Sequence, residues 1–319
     1  MISFGPVPSR RLGKSLGVNN IPGEKKCTYS CIYCQVGVTK HYLSARESFY
    51  DPSVIFNEVN HHLEKLSVND KPDYLTFVAN GEPTLDINLG KSIIELKKLN
   101  IPIAVITNAS LLYDPQVCSD LMQADWISVK IDTGSESIWK KLNRPLHNIS
   151  FEAYLKGLDV FSKSFKGFLA SETMLVRGVN DSTEDLNETT ELIQSVAPST
   201  AYISIPTRPP ALSSVEPPSE TVINEAYQIF SEKGIKCKLI LGFEGTDTGF
   251  TGNAIDDIIN ICTVHPIRED TMLELLKKNN TDVFVLESLL FDGKIKKVSY
   301  NSKLFYIRQF RDDYFSKKK

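Results

Sequence analysis

The chain has 319 residues, of which 41% are hydrophobic and 24% are charged, a composition that is ordinary for globular proteins. Its formal net charge of −3 excludes the bulk basic field that drives non-specific binding to nucleic acid. The N-terminal segment lacks the apolar core of a signal peptide, and no run of about 18 apolar residues occurs in the chain. We therefore expect a cytoplasmic protein with no membrane partner.

Short apolar runs alternate with helical patterns through the first three quarters of the chain. The predicted strands are residues 15–18, 74–78, 103–107, 126–131, 168–175, 201–205 and 236–241. The predicted helices are residues 53–66, 89–99, 115–123, 151–165, 182–196 and 219–233. This alternation predicts an α/β fold with a parallel sheet, most naturally an open or closed (β/α) barrel. A doubly wound sheet is the runner-up, since periodicity does not separate the two.

The pattern changes after a Gly/Thr-rich stretch at residues 242–252. Helices over residues 254–264, 268–278 and 283–290, followed by a hairpin of 294–300 with 304–308, predict a winged-helix-like domain. We place a barrel domain at residues 1–249 and this small domain at 250–319. The segment 282–292, which would be the recognition helix, has no Lys or Arg, and this disfavours duplex DNA as a partner. Lysines near 294–297 and at 317–319 leave an RNA or peptide contact open.

Three of the six cysteines fall close together in the segment Cys27-Thr-Tyr-Ser-Cys31-Ile-Tyr-Cys34. Thiolates at this spacing let one loop bind three irons of an iron–sulfur cube and leave the fourth iron open to a small ligand. A structural zinc site is the alternative, but such sites close with four ligands, and His41 is the only nearby candidate for the fourth. The remaining cysteines lie singly in apolar contexts that are typical of core residues: Cys118, Cys237 and Cys262.

The cysteine spacing, with Tyr33 before the last cysteine, resembles the CxxxCxxC signature of the radical S-adenosylmethionine (SAM) superfamily. The resemblance implies a partial (β/α)6-type barrel and a [4Fe–4S] cluster on Cys27, Cys31 and Cys34, with SAM chelating the open iron. It also implies that one electron cleaves SAM to methionine and a 5′-deoxyadenosyl radical, which takes a hydrogen atom from the substrate. The segment 5–13 and the C-terminal domain are similar to the tRNA wyosine-synthase-like group. However, the extra N-terminal cysteines that hold the second cluster of the wyosine enzymes are missing, which argues against wyosine formation.

The segment Asn80-Gly81-Glu82-Pro83 follows the predicted strand 74–78 and resembles the glycine–glutamate motif that meets the SAM amino group in the superfamily. Glycine permits close approach of the backbone to a ligand, and a carboxylate suits an ammonium group. Taken alone, the same residues would form an ordinary turn. Tyr33, Gly81, Glu82, Pro83 and Asn108 are therefore candidate contacts of the cofactor, although Asn108 after the strand 103–107 is equally consistent with a turn residue.

The predicted strand 126–131 places Ser128, Lys130 and Asp132 on one face, because side chains alternate along a strand. Strands of a parallel sheet are usually apolar on both faces, so these three residues predict a polar barrel interior. An ion pair of Lys130 with Asp132 at a strand end is the alternative. The resemblance implies that polar groups of this strand contact SAM or substrate.

Arg208, which follows the predicted strand 201–205, joins Lys130 and Asp132 as a candidate catalytic residue. Its guanidinium group either binds a carboxylate or phosphate or lies in solvent.

The sequence therefore favours a radical SAM enzyme that acts on an unidentified substrate, an RNA base or a peptide, with a flavodoxin- or ferredoxin-like protein as electron donor. The alternative is a redox-sensing iron–sulfur regulator that binds nucleic acid through the C-terminal domain. The acidic segment 282–292 and the Gly81-Glu82 motif argue against this regulator.

Overall fold

The computed structural model describes residues 2–242 and 244–310. The strands are β1 (Ser3–Ser9), β2 (Gly13–Val18), β3 (Lys26–Cys27), β4 (His41–Tyr42), β5 (Tyr74–Phe77), β6 (Ile103–Thr107), β7 (Trp126–Lys130), β8 (Phe168–Met174), β9 (Thr200–Ser204), β10 (Cys237–Ile240), β11 (Ile267–Arg268), β12 (Ile295–Tyr300) and β13 (Lys303–Arg308). The helices are α1 (Pro52–Lys65), α2 (Leu89–Lys97), α3 (Pro115–Leu121), α4 (Glu136–Asn143), α5 (Phe151–Ser164), α6 (Thr183–Val196), α7 (Glu220–Glu232), α8 (Ala254–Val264), α9 (Glu269–Lys278) and α10 (Val283–Phe291).

One eight-stranded sheet forms the centre of the molecule, in the spatial order β1-β2-β5-β6-β7-β8-β9-β10. The strands from β2 to β10 are parallel, and β1 pairs antiparallel with β2. A doubly wound sheet would reverse its strand order at a switch point, whereas here spatial order follows chain order throughout. The prediction of a partial barrel is therefore confirmed.

The two faces of each strand have different surroundings. Ile127 and Val129 of β7 are fully buried in the large core that the sheet shares with its covering helices. Trp126 of β7 points to the other face, where it packs with residues of neighbouring strands at one end of the barrel interior. Lys130, on the same face as Trp126, lines a cavity farther along the strand. The predicted alternation on β7 is thus present, with polar groups directed into the barrel.

The predicted helices begin and end within a few residues of the predicted bounds, and side-chain caps mark the start of several of them. The backbone N–H of Asp185 donates to Oγ of Ser182 over 3.2 Å at the start of α6, and the carboxylate of Asp114 caps α3 one residue before Pro115. Strand β1 and helix α4 are absent from the predicted set. Strand β1 reads Ser-Phe-Gly-Pro-Val-Pro-Ser, and its prolines are tolerated because it is an edge strand of the sheet.

The C-terminal part consists of α8, α9, α10 and a three-stranded sheet in the order β11-β13-β12. Ile258, Ile261 and Met272 form its core, and Phe4 and Val7 of β1 pack in the same core. The C-terminal part therefore covers the β1 edge of the barrel. The three helices and the hairpin lie where the sequence predicts them, while the boundary at 249/250 and the winged-helix interpretation remain predictions.

Two further predictions concern the termini and the membrane. The lysines at 317–319 lie outside the described residues. Within residues 2–242 and 244–310, no helix combines the length and the apolar character that crossing a membrane requires.

Candidate active site

A cavity of about 300 Å³ occupies the barrel interior toward the carboxyl ends of the strands. Its wall includes the three clustered cysteines, Glu82 after β5, Asn108 after β6, Lys130 on β7 and Arg208 after β9. Val264 and His265, at the end of α8, complete the wall from the C-terminal part. The topology thus brings together residues that are as far apart in sequence as Cys27 and His265.

The cysteine loop is attached to the end of β5 through backbone hydrogen bonds. The N–H of Lys26 donates to the carbonyl of Asn80 over 3.2 Å, and the N–H of Glu82 donates to the carbonyl of Lys26 over 3.0 Å. Gly81 lies between these bonds at φ 141°, and a Cβ placed there would lie 1.6 Å from the Lys26 carbonyl oxygen. The glycine of this motif therefore permits the close approach of the cysteine loop, a role beyond approach to a ligand.

The other side of the cysteine loop rests on helix α4. The N–H of Ser30 donates to the carbonyl of Asn143 over 3.1 Å, and the N–H of Ile32 donates to the carbonyl of Leu142 over 2.9 Å. The indole N–H of Trp139 donates to the hydroxyl of Tyr29 over 3.2 Å. The loop between Cys27 and Cys34 is thus held between the end of β5 and the end of α4.

Each clustered sulfur has a hydrogen-bond donor beside it. The Nζ of Lys25 lies 3.1 Å from Sγ of Cys34, Nδ2 of Asn143 lies 3.5 Å from Sγ of Cys31, and Nδ2 of Asn108 lies 3.6 Å from Sγ of Cys27. Donors at thiolate sulfurs stabilise the charged form that binds iron.

The cysteine thiols themselves are held in a desolvated environment. Burial raises the pKa of Cys27 to about 11 and the pKa of Cys31 to about 12. Iron binds the thiolate form, so cluster binding at these two cysteines is coupled to release of their protons.

The structure also bears on the zinc alternative. His41, the fourth ligand that a zinc site would need, is half exposed, and its Nε2 lies 3.1 Å from the Glu24 carboxylate. Among the described residues, no three His, Cys, Asp or Glu side chains converge on a single metal-ion position. An iron–sulfur cube instead gives each cysteine its own iron, and three cysteines on one loop, each with a donor at its sulfur, fit that group.

Glu82 is buried, with 2% of its surface exposed, and forms a compact unit with its neighbours. Its carboxylate accepts from the hydroxyls of Thr84 and Thr107 over 2.7 Å and 2.6 Å, and from the N–H of Asn108 over 2.8 Å. Burial raises the pKa of Glu82, although these hydrogen bonds oppose the rise. Pro83 begins the short helical turn that follows, Pro83–Leu85, and is itself buried. Glu82 and Asn108, two sequence-predicted residues, are therefore linked directly.

Asp132 is buried and connects the cysteine loop to β7 and β8. Its carboxylate accepts from the hydroxyl of Tyr33, from Nδ2 of Asn143 over 2.8 Å and from the N–H of Met174 over 2.8 Å. Lys130 lies 3.6 Å from this carboxylate, and its ammonium lies 5.1 Å from the centre of the Tyr33 ring. Asp132 therefore contacts Tyr33 and Lys130, which themselves line the cavity.

Ser128, on the same strand face as Lys130, has a different position. It is fully buried and is not among the residues that line the cavity, and its hydroxyl has no partner among the described atoms.

Glu172 of β8 is a further cavity residue that sequence reasoning missed. Its carboxylate pairs with Arg11 and with Lys130 at 3.2 Å. Burial opposes its ionisation, but Arg11 and Lys130 together lower the pKa of Glu172 to about 2. The polar position of Glu172 in an otherwise buried strand was a usable signal, since β8 reads Phe-Leu-Ala-Ser-Glu-Thr-Met.

Arg208 is held by residues that the sequence did not associate with it. It pairs with Glu244 after β10, donates to Oε1 of Gln35 over 3.2 Å and lies 3.0 Å from Nε2 of His265. Arg10 joins the same group, with its Nη2 3.1 Å from Glu244. The solvated-loop alternative for Arg208 is therefore excluded: the side chain lines the cavity, with 15% of its surface exposed.

Comparison with known proteins agrees with the resemblance that the cysteine spacing suggests. A family model described as the radical SAM superfamily matches residues 24–193. A UPF0026 protein of Methanocaldococcus jannaschii is 42% identical over 97% of each chain. The crystal structure of a radical SAM methyltransferase from Sphaerobacter thermophilus aligns with a TM-score of 0.56 at 16% identity, over 70% of this chain and 65% of that chain. A structure of TYW1 with a lysine-pyruvate adduct bound aligns with a TM-score of 0.48 at 14% identity, over 94% of this chain and 82% of that one, a likeness too low to bear on substrate.

Proposed function

The chain belongs to the radical SAM superfamily, as an enzyme that uses a [4Fe–4S] cluster and SAM, and we propose that Cys27, Cys31 and Cys34 hold this cluster. The observation that carries the proposal is the position of these cysteines on the cavity wall, each with a donor at its sulfur. When bound, the cluster and SAM supply one-electron cleavage of SAM and a 5′-deoxyadenosyl radical for hydrogen abstraction.

The residues of the chain bind the cluster and SAM, orient them and exclude water from the cavity. Glu82 and the Asn108 side chain lie beside Cys27 and face the cavity, where a carboxylate and an amide suit the ammonium and carboxylate groups of SAM. Gly81 keeps the cysteine loop against the end of β5. Because Asp132 is fully engaged by the chain, we assign it the positioning of Tyr33 and Lys130, with Lys130 facing the bound molecules.

The C-terminal part contributes to the same cavity through Val264 and His265. This placement supports the enzyme over a regulator that would use the C-terminal part to bind nucleic acid. We therefore propose that the winged-helix-like domain closes one side of the barrel cavity. A cytoplasmic location, an external flavodoxin- or ferredoxin-like donor and an RNA or peptide substrate remain predictions.

Anaerobic reconstitution with iron and sulfide, followed by reduction with dithionite and addition of SAM, tests the assignment. We expect 5′-deoxyadenosine from the wild type, none from Cys31→Ala, and wild-type amounts from Cys118→Ala, a matched control for a cysteine outside the cavity. Because some enzymes of this class cleave SAM only with substrate present, the EPR spectrum of the reduced cluster is recorded with and without SAM. A protein that binds zinc and no iron, or a spectrum unchanged by SAM, would contradict the proposal.

A further inference from the structure

Three arginines line the cavity where the two edges of the sheet approach one another. Arg10 and Arg11 lie in the turn between β1 and β2, and Arg208 follows β9. We name Arg10, Arg11 and Arg208 the arginine cluster. Glu244, in the chain after β10, pairs with both Arg10 and Arg208, so ion pairs connect elements next to the two edge strands.

The charges around the arginine cluster do not balance. The three arginines and Lys130 contribute four positive charges, and the three carboxylates paired with them, Glu172, Glu244 and Asp132, leave one positive charge uncompensated. His265 adds no charge, since burial and then Arg208 lower its pKa to about 3. Uncompensated charge in a cavity wall is costly unless a counter-ion binds there.

Several hydrogen-bond donors of the cluster are also unused. Nε and Nη1 of Arg10 and Nε of Arg11 are buried and have no partner among the described atoms. Glu244 accepts from Nη2 of Arg10 and of Arg208, and Glu172 accepts from Nη1 of Arg11 and from Lys130. An oxyanion in the cavity would neutralise the excess charge and accept hydrogen bonds from guanidinium groups that turn toward it.

We propose that the arginine cluster, whose three side chains line the cavity, binds an oxyanion group of the substrate, a carboxylate or a phosphate. Glu244 and Glu172 hold the guanidinium groups in place. Arg208 also contacts Gln35, the residue after Cys34, so the bound group shares its cavity with the cysteine loop. The inference rests on the proposed function and narrows its substrate to a molecule with an anionic end.

Calorimetric titration of the anaerobically reconstituted protein with acetate and, separately, with inorganic phosphate tests this site. We expect one anion to bind and its affinity to fall roughly tenfold or more in Arg10→Met, because a hydrogen bond to a charged group contributes about 1.5–3 kcal/mol. Arg177→Met is the matched control, since Arg177 pairs with Glu216 on the surface. Arg10→Lys keeps the positive charge, and we expect it to bind the anion with intermediate affinity. This variant replaces Arg10→Met in the test if Arg10→Met folds poorly. Preference for acetate or for phosphate identifies the source of the oxyanion.

Affinity for SAM, iron content and 5′-deoxyadenosine are measured on the same preparations. We expect Arg10→Met to leave SAM affinity and iron content unchanged. If neither anion binds, if Arg10→Met binds as the wild type does, or if SAM affinity falls in parallel because the arginines bind the SAM carboxylate, the inference is overturned. Anion binding without 5′-deoxyadenosine or a SAM-dependent EPR change would instead overturn the proposed function alone.

Discussion

Lys25 donates a hydrogen bond from Nζ to Sγ of Cys34 over 3.1 Å and a second to the carbonyl of Gly37 over 2.6 Å. The lysine is buried, with 5% of its surface exposed. Burial opposes its charge, but the three clustered cysteines together outweigh burial and raise the pKa of the Lys25 ammonium. The chain therefore fixes a positive charge against the thiolates proposed to bind the cluster.

Lys25→Met removes this charge and both hydrogen bonds while keeping most of the side-chain volume. We expect a more negative reduction potential, because the reduced cluster carries one more negative charge, and roughly tenfold faster iron release to a chelator. Potentiometric EPR and the rate of chelation measure the two effects. Lys98→Met is the control, since Lys98 lies on the surface and pairs with Glu95. An unchanged or higher potential in Lys25→Met would show that the ammonium does not act on the cluster.

Comparing Gly81→Ala with Gly178→Ala tests whether Gly81 is needed because the cysteine loop packs against it or only because of its backbone conformation. Both glycines have positive φ, 66° at Gly178 and 141° at Gly81. Alanine in the left-handed region of Gly178 costs about 1–2 kcal/mol, and alanine at the φ of Gly81 costs about 1–3 kcal/mol. Only at Gly81 would the new Cβ meet backbone, 1.6 Å from the Lys26 oxygen, while nothing lies within 4 Å at Gly178. We expect Gly81→Ala to lose about 3 kcal/mol or more and most of its iron. Urea unfolding and iron analysis test this. Equal unfolding free energies and equal iron contents in the two variants would contradict a direct contact of the cysteine loop with Gly81.

Much of the barrel could be predicted from local sequence. Parallel strands such as β6 and β7 are apolar runs bounded by turn residues, and their bounds depend on neighbours close in sequence. Strand β1 was not predicted, because two prolines and a glycine are untypical of a strand sequence. Its pairing with β2 and its packing against α8 are tertiary effects, which a local pattern does not contain.

The candidate site was only partly predictable for the same reason. The cysteines and Glu82 form short motifs whose chemistry is recognisable from spacing. By contrast, Arg11 pairs with Glu172, a residue 161 positions away, and Arg208 lies beside His265, 57 positions away. Isolated charged residues have many surface roles, so their convergence becomes visible only when the barrel brings the strands together.

His265 gives the protein a defined dependence on pH. Nη2 of Arg208 donates toward Nε2 of His265 over 3.0 Å, which requires the neutral ring, and burial followed by Arg208 lowers the pKa of His265 to about 3. The unfolded chain binds a proton near the ordinary pKa of about 6.5, whereas the folded chain does not, so stability falls as pH decreases below about 6.5. We expect a loss of about 1 kcal/mol between pH ~8 and pH ~5.5 from this residue.

Urea midpoints at the two pH values, measured anaerobically, test the contribution of His265. His265→Gln should reduce the pH dependence by about 1 kcal/mol, whereas the exposed His61→Gln should leave it as in the wild type. The remaining dependence includes His62, whose pKa burial also lowers. A His265→Gln variant with an undiminished pH dependence would mean that the histidine is protonated in the folded protein.

Trp139 of α4 supports the cysteine loop through both packing and hydrogen bonding. Its ring packs against Tyr29 at 5.6 Å between ring centres and against Phe151 at 5.1 Å, and its indole N–H donates to the Tyr29 hydroxyl. We expect Trp139→Ala to lose about 3–5 kcal/mol of unfolding free energy and to lower iron content, because Tyr29 lies within the cysteine loop. Trp139→Phe keeps a ring and should lose less unfolding free energy.

The control is Phe291→Ala. Its side chain is 91% exposed, so the substitution should change stability by less than about 0.5 kcal/mol. If Trp139→Ala destabilises the protein yet retains full iron, then α4 stabilises the barrel without positioning the cysteines, and the attachment at Gly81 alone sets the geometry of the loop.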